Sequence, residues 1–325
     1  MSEPTPSATP VPRQADPIKA VPVRHPGRWV AIAVIAVLAA MFVHMLFTNK
    51  AFNWPFMFEN MFRPPVIKGL WGTVSITVLA MIIGVLLGIV VAVCRLSENP
   101  ILRGASWVYT WFFRAVPRLV LLTVMGNLGL LWPRLEIGVP FDVYIGKLFG
   151  VEDANWRFLG FTTRDILSGF AVGVLGLALS EAAYMAEIVR AGMLSVDPGQ
   201  EEAATALGMS RGKALRRVVL PQAMRVIIPP TGNETIAMLK DTSLLIAVPV
   251  TAELFFQLDA IGKRTFQIFP MYVAAILWYL FLVSILLVGQ YFLERRFARG
   301  YGRSGAAKLK LEGLAAEHGG KPELP

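Results

Sequence analysis

A single cysteine, Cys94, occurs in 325 residues and lies inside an apolar run, so no disulfide within the chain can staple this fold. Histidine is almost as scarce. His25, His44 and His318 lie far apart, and none has a metal-ligating residue three or four positions away, so no metal site is expected. Charge is thin: 16% of residues are Asp, Glu, Lys or Arg, against about 25% in an ordinary soluble domain. A phosphate-binding loop is missing too. The nearest approach, Gly208-x3-Gly212-Lys213-Ala214, is one residue short between its glycines and lacks the hydroxyl that would hold Mg2+. Nothing assembles a nucleophile with a base, so no catalytic residue is expected.

What the chain has in quantity is apolar sequence. Hydrophobic residues make up 55% of it, in runs that reach the roughly 20 residues needed to cross a bilayer. Residues 1–27, rich in Pro, Ala and charge, read as a disordered tail. The run that follows, within 28–48, is longer than the roughly 7–15 apolar residues of a signal peptide, so it reads as a true span. A second span runs from Ile67 to Val93 and carries Gly84-x3-Gly88, a spacing that lets helix backbones approach closely. A third, Trp107 to Trp132, holds Arg114 and Arg118 on either side of Pro117. A fourth, Ile166 to Met193, carries three glycines and then Glu181 and Glu187. From Ala223 to Val250 the apolar pattern is interrupted by Pro229–Pro230, Gly232, Glu234 and Lys240–Asp241. Irregular backbone at membrane depth needs protein or a water-filled cavity around it. A last clean span runs from Met271 to Leu293. The expected fold class is an all-α integral membrane protein with about six transmembrane helices.

The net charge of +9 does not point to nucleic acid, because the basic residues are not gathered on one domain. They sit in tails and short loops beside the apolar runs, where a lipid bilayer accounts for them. The tail up to Arg28 has four basic and two acidic residues, and the tail from Glu294 has seven basic and four acidic. Both fall on one side with the Arg95–Arg103 turn and the basic 194–222 loop. The positive-inside rule makes that side, and both termini, cytoplasmic. The intervening loop 133–164 balances four basic residues against four acidic ones and falls on the opposite side.

The segment 197–221 stands apart as a polar double helix. Asp197 is a good N-cap, Pro198 suits the first helical position, and Gln200 occupies the capping-box position. Gly208 is placed to end the first helix in a left-handed conformation. A second helix starts at Ser210, presents Ala214, Leu215, Val218 and Val219 on one face, and is expected to close at Pro221. These features fit a docking element for protein or lipid headgroups equally well.

The full pattern decides between them. Glu202-Ala203-Ala204, three residues, Gly208, nine residues, Val218, one residue, Leu220-Pro221 resembles the cytoplasmic signature of ABC importer membrane subunits. Ala182–Gly192, Pro229–Pro230-x-Gly232-Asn233-Glu234 and Leu239–Leu244 are similar to the polar amino-acid permease branch, as are Lys68-Gly69-x-x-Gly72-Thr73 and Arg114-x-x-Pro117. The resemblance covers 66–296 and implies a five-helix type I importer core, with the helix at 28–48 as an addition and 297–325 as a cytoplasmic tail. It also implies that Glu202, Ala203, Ala204, Gly208, Leu220 and Pro221 couple the chain to a separate ATPase pair. ATP and Mg2+ would bind in that partner and no cofactor in this chain. A second permease and a periplasmic amino-acid-binding protein would complete the inner-membrane assembly, which has no nucleic-acid component.

Ionisable residues at membrane depth are costly and usually functional. Glu181, Tyr184, Arg114, Asn233, Glu234 and Asp241 are therefore candidates for an amino-acid pathway. Glu181 stands where this branch is expected to carry a small hydroxyl residue, and it can meet a substrate ammonium or pair with Arg114 or Lys240. Glu187 and Arg190, three apart, suit a structural or gating ion pair. The loop 133–164 is expected to meet the binding protein. A secondary transporter would show a second broken span matching 223–250, and no such twin is evident.

Overall fold

The computed structural model describes residues 26–151, 155–163, 169–248 and 250–297. The expected tails at 1–27 and 297–325 fall almost wholly outside the described residues. The chain divides into two compact units, Met1–Phe52 and Asn53–Pro325. In the first, helix α1 (Pro26–Thr48) exposes its large apolar side chains, Trp29 to Phe47, as a lipid-facing span requires.

The second unit is built on helix α3 (Pro64–Leu96), preceded by the short α2 (Trp54–Asn60). Along α3, Ile76, Ala80, Gly84, Gly88 and Ala92 are all buried at intervals of four, so they form one stripe. Helix α8 (Gly169–Leu194) answers with Val174, Ala178, Ala182 and Ala186 at the same interval. In lipid the gain from hydrophobic burial between helices largely vanishes, and close contact between small residues replaces it. A Cβ on Gly88 would lie 2.6 Å from Met185 Cβ, so glycine is what permits this approach.

Between these helices the chain crosses as a bent pair, α4 (Pro100–Ala115) and α5 (Arg118–Gly126), with 100° between their axes. Asn99 caps α4 by accepting from Ile101 N at 2.9 Å, with Pro100 at the first helical position. Pro117 makes the break. It disfavours the helical region for the residue before it, and Val116 is extended at φ −80, ψ 128. Arg114 and Arg118 are thereby set on the two sides of a corner.

The excursion 127–163 contains the described strands, a two-stranded hairpin added to the expected helical fold. After the single turn α6 (Leu128–Leu131), β1 (Arg134–Gly138) pairs antiparallel with β2 (Arg157–Thr162), and α7 (Asp142–Leu148) lies between them. Arg157 bridges Glu136 and, at 3.4 Å, Asp142. The hydrogen bond and charge of Glu136 raise the Arg157 guanidinium above its ordinary range.

After α8 come α9 (Pro198–Ala206) and α10 (Arg211–Ala214), then a π-helical turn, Leu215–Val219, that leads straight into α11 (Leu220–Asp241). Two expectations are corrected here. Pro221 does not close the helix: the wider π turn precedes it and takes up the hydrogen-bond mismatch that a proline creates. Nor does Pro229–Pro230 break the span, since α11 runs through both and ends in a 3-10 stretch, Thr242–Ala247. Helices α12 (Leu254–Thr265) and α13 (Ile268–Phe297) complete the unit.

Among the described residues, four helices are long and apolar enough to cross a membrane, and the bent pair makes a fifth. Helix α11, 22 residues long and so about 33 Å, has the length but is too polar along its run to qualify by composition. Gly88→Val should overpack the α3–α8 seam and lower stability by about 1–3 kcal/mol, read as an earlier thermal transition of the purified protein in detergent.

Candidate functional site

The corner at Pro117 aims Arg118 into the bundle, where its guanidinium serves as a hub. Its Nη2 bonds Glu181 Oε2 on α8 at 2.9 Å, and its Nη1 bonds Asp241 Oδ2 at the end of α11 at 2.5 Å. Glu234 Oε2, two turns earlier on α11, lies 3.8 Å away. Glu181 is fully buried, and the Arg118 side chain is 13% exposed. The Tyr184 ring, one turn along α8, is stacked under Arg118 at 4.8 Å and under Arg114 at 5.5 Å. Three carboxylates thus share one bridging guanidinium.

Five of the predicted pathway residues therefore gather around a residue that sequence reasoning had noticed only as an oddity beside Pro117. The partner of Glu181 is Arg118, not Arg114 or Lys240. Asn233 is not in the cluster: it accepts from Gln290 Nε2 at 2.7 Å and ties α11 to α13. Glu181 Oε1 is buried with no hydrogen-bond partner among the described residues, so one acceptor of the site remains free. A cavity of about 440 Å³ opens beside Arg114 and Tyr184, and Arg95, Trp107, Trp111 and Glu187 also line it. Glu187 Oε2 accepts from Arg190 Nε at 2.9 Å, and Arg95 of α3 stands 3.8 Å from its other oxygen.

A second buried carboxylate was missed altogether. Glu253 caps α12 by accepting from Phe256 N at 3.0 Å, and it also accepts from Thr73 Oγ1 at 3.0 Å and Tyr279 Oη at 2.5 Å. Tyr279 Oη lies 3.3 Å from Thr242 Oγ1, so this joint fixes the end of α11, and with it Asp241, against α3 and α13.

At the far end of α8, Asp197 caps α9 through Gly199 N at 2.8 Å. Gln200 does not close a capping box; its side chain accepts from Gln222 Nε2 at 3.4 Å and ties the two arms together. Gly208, at φ +75, ends α9: Met209 N bonds Ala204 O and Gly208 N bonds Thr205 O, the paired closure of a Schellman turn. Ala204 and Ala214 are buried between the arms, whereas Glu202, Ala203 and Leu207 face outward. Leu220 and Pro221 are also exposed, just past the π turn.

The model of the family described as binding-protein-dependent transport system inner membrane component matches residues 84–299. The chain belongs to this family. It is a multi-pass inner-membrane permease subunit of an ABC importer, and the relatives that it matches are amino-acid permeases. The arginine transport system permease protein ArgU of Corynebacterium glutamicum is 43% identical over 95% of this chain and 92% of its own length. The L-cystine transport system permease protein TcyB of Bacillus subtilis is 34% identical over 77% of this chain and 94% of its own. The crystal structure of an amino acid ABC transporter with histidines superposes with a TM-score of 0.56 at 32% identity, covering 72% of this chain and 94% of that one. A bacterial alginate ABC transporter, at 14% identity and a TM-score of 0.52, shares the fold.

Arg118→Leu strands Glu181 as an unpaired charge and should destabilise the permease by about 3–5 kcal/mol. The double variant Arg118→Leu/Glu181→Leu should recover most of that loss, as read by thermal unfolding in detergent.

Proposed function

We propose that the permease moves a cationic amino acid inward, driven by ATP hydrolysis in a separate subunit. The observation that carries this reading is the charge imbalance at the hub. One guanidinium, Arg118, faces Glu181, Glu234 and Asp241, a formal −2, and Arg114 across the Tyr184 ring reduces it only to −1. A charge left over at membrane depth is costly, and a cationic side chain or ammonium arriving from the cavity would neutralise it. The free Oε1 of Glu181 is an acceptor ready for that group. Arg114 makes no ion pair among the described residues, and it suits the α-carboxylate at the other end of the cargo. The arginine named for the ArgU relative agrees with this choice; the cystine named for the more distant TcyB does not carry a net positive charge.

The segment 197–221 is the joint to the ATPase pair. Its outward Glu202, Ala203 and Leu207 present a small, polar-edged surface that a cleft in the ATPase can receive, and Gly208 sets the angle between the arms. ATP and Mg2+ belong to that partner. A second permease, identical or related, and a periplasmic binding protein complete the importer. Both termini lie in the cytoplasm with the coupling segment. Glu187 and Arg190, joined by Arg95, brace the cytoplasmic end of α8 against α3 as a gate.

In vesicles carrying the permease with its ATPase and binding protein, arginine and lysine should outcompete glutamine and cystine for uptake. Glu234→Gln should lower arginine uptake about tenfold, the equivalent of about 1.4 kcal/mol, without raising uptake of neutral cargo. An unchanged preference would contradict the cationic reading. Gly208→Val forces a β-branched residue into a left-handed conformation at a cost of at least 1–2 kcal/mol. The permease should still insert, but it should no longer hold the ATPase through affinity purification.

A further inference from the structure

The hairpin between the bent span and α8 has two unlike faces. Side chains alternate along a strand, so Leu135 and Ile137 share a face with their partners Phe161 and Leu159. Glu136 and Gly160 lie on the other, next to the Arg157 clamp. The apolar face is uncovered. Ile137 is 62% exposed and Leu159 50%, and Phe158, the extra residue at the bulge, is 77% exposed. Neither strand packs extensively on a membrane helix. A two-stranded hairpin is marginal in water unless its apolar face is packed against something.

We propose that this hairpin is an interfacial anchor, its Leu135–Ile137–Leu159–Phe161 face lying in the headgroup boundary of the leaflet opposite the coupling segment. Continuity with the membrane carries the choice. The excursion leaves α5 through the apolar turn α6 and Trp132, and it returns to α8 within a few residues of β2, so both ends stand at the bilayer boundary. Trp132 and Trp156 flank the two strands, the residue type favoured at that depth. Among the described residues the hairpin's acids are consumed internally: Arg157 takes Glu136 and Asp142, and Asp142 also accepts from Trp156 N at 3.2 Å. Among the described residues of the excursion this leaves Arg134 and Lys147, long cations that can reach headgroup phosphates while their stems lie along apolar surface. A binding protein docks only during part of a cycle and would leave the face in water between visits, whereas lipid covers it at all times.

The test uses the full-length permease with Cys94→Ser, reconstituted in phosphatidylethanolamine–phosphatidylglycerol vesicles. A nitroxide is attached at one new cysteine at a time: Ile137→Cys or Leu159→Cys on the apolar face, Gly160→Cys on the polar face. Two apolar positions guard against one variant failing to fold. At both, collisions with oxygen should exceed those with a water-soluble nickel chelate several-fold, with the reverse at Gly160→Cys, in lipid alone and unchanged by binding protein. Three results would overturn the proposal. These are equal water access on both faces, shielding that appears only when binding protein is added, and spin–spin broadening between two copies of the chain.

Discussion

Arg118 sits at membrane depth and is shared by carboxylates from two helices, α8 and α11. Its ties to Glu181 and Asp241 join the bent span to α8 and to the end of α11. Desolvating such charges costs several kcal/mol each, so they persist there only while their geometry satisfies one another. The rest of the unit can be read as the means of holding that geometry. Pro117 turns the corner that aims the guanidinium, the small-residue seam of α3 and α8 fixes Glu181, and the Glu253 joint fixes the end of α11 that bears Asp241. The Tyr184 ring beneath two guanidinium groups keeps Arg118 and Arg114 close despite their like charge.

In the proposed importer this arrangement would link the site to the motor. Helix α8 carries Glu181 and Tyr184 in its middle and Glu187 near its end, and then passes directly into the capped α9. Helix α11 starts at the π turn beside that segment and ends at Asp241. On the proposed reading, a movement of segment 197–221 would be delivered to both walls of the hub by two continuous helices. The π turn ahead of Pro221 lets the second arm continue as a rigid rod instead of ending in a loop.

Much of this was legible in the residues. The caps at Asp197 and Gly208, the tight Gly84 and Gly88 approach, and the long apolar helices α1, α3, α8 and α13 follow from local chemistry and periodicity. The identity of Glu181's partner did not. Arg118 lies 63 residues away, and choosing it over Arg114 depends on a 100° corner that no local pattern measures. The Pro229–Pro230 pair misled in the other direction, because its local penalty is absorbed once neighbouring helices pack around α11. Glu253 carries no local signal in the sequence; only the approach of Thr73 and Tyr279 from distant spans makes it a joint. The hairpin lacked any turn signature, since an intervening helix separates its strands.

A cation-receiving hub and a sealed internal lock differ in what bound cargo would do to Arg118. An experimental structure of the assembled importer with saturating arginine tests this most directly. A receiving hub should hold the cargo's guanidinium within hydrogen-bond distance of Glu181 Oε1 or Glu234, with Arg118 displaced from at least one of its carboxylates. Cargo bound elsewhere, with Arg118 still holding Glu181 and Asp241 unchanged, would contradict it.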